Sequence, residues 1–142
     1  MKMRKGFTLI ELLIVLAIIA ALMAVVTPIA LNAVRKAKAT QVAENIRNIK
    51  SAVEAYVNVE QPDSLDDLTI DGSLSSYLNT DPGDDFDLVV EDFDAGVATV
   101  TIYYVGGEVP FDELDKVLPE LTEESSDNED YPALVVEFQK WW

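Results

Sequence analysis

Residues 6–31 read GFTLIELLIVLAIIAALMAVVTPIAL, and this stretch decides the fold. Every residue from 12 to 26 is Ala, Val, Ile, Leu or Met, and only Thr27 and Pro28 interrupt the apolar run. About 25 apolar residues in an α-helix span the ~30 Å hydrocarbon core of a bilayer at a rise of ~1.5 Å per residue. The stretch therefore predicts a membrane-spanning helix.

One carboxylate, that of Glu11, lies inside this predicted membrane segment. An ionised carboxylate there costs on the order of a few kcal/mol unless it is paired or protonated. Glu11 is therefore a candidate functional residue that needs a partner. The alternative is a side chain that only reaches the membrane interface or binds a proton.

Three basic residues, Lys2, Arg4 and Lys5, precede the apolar run. Basic residues favour the cytoplasmic side, so we expect a single membrane span with an exported C-terminus. A secretory signal peptide has the same basic start, but its cleavage would leave Val25 or a neighbour as the new N-terminus. The apolar run is long for a signal peptide, which argues against that alternative.

This N-terminal segment, over roughly residues 1–56, resembles that of type IV pilins and pseudopilins. In that family a short basic leader ends in glycine, phenylalanine usually follows, and glutamate is the fifth mature residue. Gly6, Phe7 and Glu11 match this pattern, and Pro28 lies where many members carry a helix-bending proline. The resemblance implies cleavage between Gly6 and Phe7 by a prepilin peptidase, with N-methylation of Phe7.

The resemblance also implies partners and a location. A membrane platform protein and a cytoplasmic assembly ATPase would move the subunit from the bacterial inner membrane into a homo-oligomeric helical filament at the cell surface or in the periplasm. Such filaments serve adhesion, twitching motility, DNA uptake or protein secretion, and the resemblance does not choose among these tasks or between a major and a minor subunit. It implies a structural protein and not an enzyme.

Cleavage would give Phe7 a new α-amine, and a cation in apolar surroundings needs an anion. Glu11 of a neighbouring subunit would supply that anion. The pair would set the axial register between adjacent helices, much as a buried polar residue fixes the register of a coiled coil. Methylation leaves the amine cationic, so the pairing would persist.

Pro28 lacks the amide proton that would bond the carbonyl of Ala24, so we expect a kink or local break in the helix. Two interpretations are open. Pro28 is either a tolerated membrane-helix proline or the point where the helix unwinds when the subunit enters a filament core.

The sequence predicts four parts: a leader at residues 1–6, a hydrophobic transmembrane or filament-core helix at 7–31, an amphipathic helix at 32–59 and an acidic globular domain at 60–142. The two helical parts form one continuous helix from about residue 8 to about residue 59. In the second part apolar residues recur mostly every three or four positions, as one helical face requires. These residues are Val34, Val42, Ile46, Ile49, Val53 and Tyr56 or Val57.

Charge divides the chain sharply. Residues 1–59 hold eight Lys/Arg and three Asp/Glu, whereas residues 60–142 hold two and 23. So acidic a domain repels phosphate backbones, which argues against nucleic-acid binding. Arg35, Lys36 and Lys38 follow the apolar run and would meet phospholipid head groups or be simply solvated.

The chain contains no cysteine and no histidine. Disulfides, thiolate catalysis, cysteine-ligated metals and imidazole acid–base chemistry are therefore excluded. The sequence also contains no Walker loop, nucleophile elbow or dinucleotide fingerprint, which agrees with a non-enzymatic role.

The acidic domain combines strand and short-helix patterns, so the predicted fold class is α+β: a long N-terminal helix packed on a small antiparallel sheet. β-branched and aromatic residues predict a hairpin of strands 86–90 and 97–105, and a third strand at 134–138. We expect short helices at 74–78 and 111–118, and a mobile polar loop at 122–130.

Four aspartates, Asp81, Asp84, Asp85 and Asp87, surround a Pro-Gly turn. The segment is weakly similar to a region of major pseudopilins where a nearby loop can hold calcium, although the tryptophan usual there is absent. Oxygen ligands of this kind suit calcium, and an ion would offset the repulsion between the carboxylates. The pattern favours a plain acidic turn, with a calcium site as the alternative.

Aromatic residues end the chain. Phe138, Trp141 and Trp142 are expected to anchor the last strand in the core or on the helix, with a subunit contact as the sharper alternative.

The best reading is a filament subunit. The competing class is a bitopic membrane protein whose acidic exported domain binds a partner while the helix serves as a passive anchor. The two classes of protein predict different roles for Glu11: a filament subunit needs this residue for assembly, whereas a passive anchor does not need it.

Overall fold

The computed structural model describes residues 6–94, 96–126 and 129–141. The leader residues 1–5, and with them the basic charges behind the predicted topology, lie outside the described residues, as does Trp142. The chain divides into two compact units, Met1–Lys36 and Ala37–Trp142. The first helix, α1 (Leu9–Glu60), contributes residues to both units.

The first unit consists of the N-terminal part of α1, and its apolar side chains are exposed throughout. This part is long and apolar enough to cross a membrane, and none of its most apolar window is buried. The helix runs through Pro28 without interruption, so the expected local break is absent from this structure. Exposed apolar surface of this extent marks a membrane or protein contact.

The second unit has a core built on one face of α1. Its buried helical residues follow a spacing of mostly three or four positions, as one helical face requires. They are Ala39, Ala43, Ile46, Ile49, Ala52, Val53 and Val57. The predicted face is confirmed from residue 42 onwards, but Val34 is 55% exposed because it belongs to the first unit.

Four antiparallel strands form one sheet within the described residues, in the order β1-β2-β4-β3. The strands are β1 (Phe86–Asp94), β2 (Val97–Tyr104), β3 (Thr122–Ser126) and β4 (Glu129–Gln139), and the short helix α2 (Phe111–Asp115) lies between β2 and β3. Ile102 pairs with Leu88 on one side and Leu134 on the other. This row belongs to the same core as α1, so the α+β fold class is confirmed.

The predicted loop at 122–130 is wrong in part, because residues 122–126 form the edge strand β3. Thr122 pairs with Ala133, and Ser126 pairs with Glu129. β3 carries no apolar alternation because it is almost wholly exposed, and backbone pairing with β4 holds it in place. Acidic side chains on an edge strand also hinder pairing with another chain.

Four further predictions need correction. The helix predicted at 111–118 is shorter, because α2 ends at Asp115 and residues 116–117 form a turn. Residues 74–78 form a hydrogen-bonded turn and not a helix, with the amides of Tyr77 and Leu78 both donating to the carbonyl of Leu74. Trp141 is 67% exposed and is not anchored in the core, whereas Phe138 is partly buried and packs against the core. The third strand is β4, which extends further in both directions than the predicted 134–138. The connection after β1 contains Ala95, which is outside the described residues.

Polar contacts join α1 to the segment that carries α2. Lys38 forms an ion pair with Glu108, and the guanidinium of Arg47 donates to the carbonyl of Val117 at 3.0 Å. The hydrogen bond and the charge of Glu108 raise the pKa of Lys38. These contacts are exposed, so they fix position more than they add stability.

Removing core volume from α1 should destabilise the second unit. Ile46 is fully buried, and we expect Ile46→Ala to lower the free energy of unfolding by about 2–5 kcal/mol through lost burial and a residual cavity. Val59→Ala is the matched control, because Val59 is 68% exposed on the same helix. Urea unfolding in detergent, followed by near-ultraviolet circular dichroism, measures both, and equal midpoints would contradict the assigned core.

Tyr77 should make stability fall at alkaline pH. Its hydroxyl donates to Glu60 Oε1 at 2.6 Å, and this hydrogen bond raises the pKa of Tyr77, as do burial and the charge of Glu60. Because the folded-state pKa lies above the unfolded one, the contribution is complete below about pH 10 and is lost as pH rises through the folded value. Tyr77→Phe should therefore be less stable than the parent at pH 7 and lose less stability between pH 9 and 12. Parallel pH curves for the two proteins would refute this linkage.

Candidate processing and assembly site

The chain enters α1 through three residues that are not helical, Gly6, Phe7 and Thr8. Phe7 is 83% exposed. A Cβ added to Gly6 would meet nothing within 4 Å, and the backbone at Gly6 is not in the left-handed region. Nothing in the described fold therefore requires glycine at position 6.

Thr8 and Glu11 form hydrogen bonds with each other across the first turn of α1. The backbone amide and the hydroxyl of Thr8 each donate to Glu11 Oε2 at 2.7 Å. The amide of Glu11 in turn approaches Thr8 Oγ1 at 3.4 Å. This reciprocal arrangement is a capping box, in which the first and fourth residues satisfy helix-terminal amides.

The capping box changes the energetics of the carboxylate. Glu11 lies in the first turn of α1, where the helix dipole favours negative charge, and it accepts two hydrogen bonds from its own chain. These contacts offset part of the cost of a carboxylate at the edge of an apolar segment. No hydrogen bond to Glu11 Oε1 is found among the described residues, so that oxygen can still accept one from another molecule.

Sequence reasoning missed Thr8. The signal was present as Thr8-x-x-Glu11 directly before an apolar run, which is the sequence form of a capping box. For Glu11 the sequence predicts pairing with a cation, a position at the membrane interface or protonation, but no contact within its own helix. The structure assigns it a second role within its own helix.

Pro28 lies inside α1, beside a threonine that bonds back along the helix. The hydroxyl of Thr27 donates to the carbonyl of Met23 at 2.8 Å, which satisfies the hydroxyl in apolar surroundings. Helical backbone continues on both sides of Pro28. The missing amide proton of Pro28 still removes one backbone hydrogen bond, the one to the carbonyl of Ala24, from this turn.

The four candidate calcium ligands do not converge. The amide of Gly83 donates to Asp81 Oδ1 at 2.9 Å, and the amide of Leu88 donates to Asp87 Oδ1 at 2.8 Å. Asp84 and Asp85 are exposed. Across the described ranges, no three acidic side chains are grouped to hold a metal ion. This geometry favours the plain acidic turn.

Two asparagines of α1 hold this turn against the helix, and sequence reasoning missed both. Asn48 Nδ2 donates to the carbonyl of Thr80 at 2.9 Å, and Asn45 Nδ2 donates to the carbonyl of Pro82 at 3.3 Å. The partners are more than 30 residues apart in the chain, so no local pattern points to them.

Comparison with known protein families identifies the N-terminal segment. Residues 1–27 match the family model described as the prokaryotic N-terminal methylation motif. The matched range contains Gly6, Phe7, Thr8 and Glu11 and ends one residue before Pro28. No curated protein and no solved structure matches the chain. The chain therefore carries a prepilin-type methylation motif at the start of α1.

The capping box should be measurable through the first turn of α1. Thr8→Ala removes the hydroxyl from both side-chain contacts, so we expect a loss of about 0.5–2 kcal/mol in local helix stability. That loss corresponds to amide exchange about 2- to 30-fold faster at residues 10–12. Hydrogen exchange by NMR in detergent micelles measures it. Thr8→Ser keeps the hydroxyl and should exchange at the parental rate, whereas equal rates in Thr8→Ala would exclude the box.

Proposed function

We propose that this chain, whose prepilin-type motif is consistent with the type IV pilin and pseudopilin family, is a structural subunit of a type IV pilus-like filament. The observation that carries the proposal is the methylation motif, which extends into a helical unit whose described apolar side chains are all exposed. Those side chains need a bilayer or other subunits to cover them. Proteins with this motif are typically structural and non-enzymatic.

The first step is processing between Gly6 and Phe7 by a prepilin peptidase, followed by methylation of the Phe7 amine. The local geometry supports this step. Phe7 is exposed, and the fold does not itself require glycine at position 6. The absence of a side chain at Gly6 is therefore explained by recognition in an external active site.

The second step is an exchange of partners at Glu11. Before assembly the carboxylate is held by Thr8 within its own helix. After cleavage the Phe7 amine of a neighbouring copy adds a cation, and its attraction to the Glu11 carboxylate, unlike that of the uncharged Thr8 donors, includes the Coulomb energy of two opposite charges. The carboxylate thereby binds a second subunit and sets the axial register between the two helices.

The apolar part of α1 serves in two environments. As a precursor the chain is anchored in the bacterial inner membrane by its single predicted span, with residues 60–142 exported. A membrane platform protein and an assembly ATPase then move it into the filament, where copies of the same helix cover one another. Pro28 removes one backbone hydrogen bond from this helix and so lowers the cost of local unwinding during the transfer.

The N-terminal peptide of cell-surface material tests this proposal. Filaments sheared from cells should yield, by mass spectrometry, a peptide that begins with N-methylated Phe7. Glu11→Ala should still be inserted and cleaved but should be strongly depleted from sheared filaments, because the register contact is lost. Gln41→Ala is the control, since Gln41 is an exposed polar residue on the same helix outside the motif.

The competing passive anchor makes the opposite prediction. Finding the chain only in membranes with residues 1–6 intact would reject the filament subunit. Glu11→Ala filaments in parental amounts would reject the register role while leaving processing in place.

A further inference from the structure

Arg35 lies at the far end of the exposed apolar unit. It is in the last turn of α1 before the boundary at Lys36, and Leu31 and Val34 beside it are exposed apolar residues. Arg35 follows Glu11 by 24 positions, which is about 36 Å of α-helix. Whatever covers the apolar side chains of this unit therefore also reaches the base of Arg35.

Arg35 differs from the other described cations. Six of these have interactions within the chain. Lys38, Lys50, Lys116 and Lys140 form ion pairs, Arg47 donates to a backbone carbonyl, and Lys36 also has an interaction partner. Arg35 makes no ion pair or hydrogen bond with any described residue, and it is exposed.

The charge balance makes this cation important between copies. Residues 7–142 carry 26 Asp/Glu against seven Lys/Arg. Copies brought together in a filament therefore repel each other through their acidic units. Of the cations in the described ranges, Arg35 alone is not already engaged within its own copy. It can supply attraction where the others are occupied.

We propose that Arg35 pairs with a carboxylate in the Ala37–Trp142 unit of a second copy of this chain. The inference rests on the proposed filament function. When other copies cover the apolar side chains beside it, the guanidinium loses water, and an unpaired cation in such surroundings is costly. The neighbouring copies that cover these side chains carry many carboxylates, which can balance the charge of Arg35. The planar guanidinium can bind one through two parallel hydrogen bonds.

A phospholipid phosphate is the other anion that Arg35 would meet, in the membrane before assembly. The excess of exposed Asp and Glu favours a protein carboxylate as the partner. A subunit in a filament no longer contacts lipid head groups, whereas the carboxylates of other copies remain close to it. The tests therefore separate a protein carboxylate from a lipid phosphate.

Arg35→Lys provides the most direct test, because it keeps the charge and introduces an amine. A carbodiimide joins an amine to a touching carboxylate without a spacer. Sheared Arg35→Lys filaments treated in this way should give covalent dimers, and peptide mass spectrometry should show residue 35 linked to an Asp or Glu of residues 37–142. Parental filaments lack this amine and should lack this link. A link confined to one copy, or no link through residue 35, would overturn the inference.

Filament yield provides the second test. Arg35→Glu adds another negative charge where a cation is expected, so the yield of sheared filaments should fall by at least about tenfold, while Arg35→Lys retains most of it. Lys116→Glu is the charge-matched control, because Lys116 is exposed and pairs with Glu113 of its own chain. Near-ultraviolet circular dichroism of each precursor in detergent verifies folding.

The outcomes remain distinct from those of the proposed function. Parental filaments with N-methylated Phe7 but normal yield in Arg35→Glu would reject the Arg35 contact and retain the filament subunit. Loss of the parental precursor's preference for anionic over zwitterionic lipid in reconstituted bilayers on Arg35→Gln, with unchanged filament yield, would assign Arg35 to lipid phosphate. Absence of parental filaments would reject both.

Discussion

The N-terminal part of α1 exposes apolar side chains along its whole length, and the need to cover them is the main constraint on this part of the molecule. Burying each such side chain is worth on the order of 1.5–3 kcal/mol, so the first unit requires a bilayer or other copies around it. The second unit does not share the constraint. From Ala39 onwards α1 buries one face in a core shared with the sheet.

The charged side chains among the described residues of the first unit lie near its two ends, Glu11 at one and Arg35 and Lys36 at the other. Thr8 and Glu11 satisfy each other and the helix terminus at one end, and Arg35 is exposed at the other. Such placement lets the middle of the helix pass between lipid and protein surroundings without exposing a charge. In the proposed filament, the two ends would determine which copy fits beside which.

Local sequence patterns were sufficient for the parts of the fold that local physics dictates. The approximate bounds of α1 and the presence of the β1–β2 hairpin and of α2 follow from periodicity and residue composition, and Glu11 was identified by its carboxylate in an apolar run. The edge strand β3 was not predictable, because its five residues are polar and gain their conformation from pairing with β4. The exposure of Trp141 was also not predictable from the sequence, since an aromatic residue type does not indicate where the sheet ends.

The amino-acid sequence alone determined the processing motif, the apolar helix and the charge asymmetry, because these depend on residue type and on spacing within a few turns. The tertiary structure decided which cations are already occupied and that the Asp81 turn does not gather its carboxylates. Lys38 meets Glu108 across 70 residues of chain, and no short-range pattern encodes such a contact. Pairing at that separation is set by how the sheet and helix pack, and so only the folded chain shows that Arg35 makes no ion pair or hydrogen bond with the residues that the structure describes.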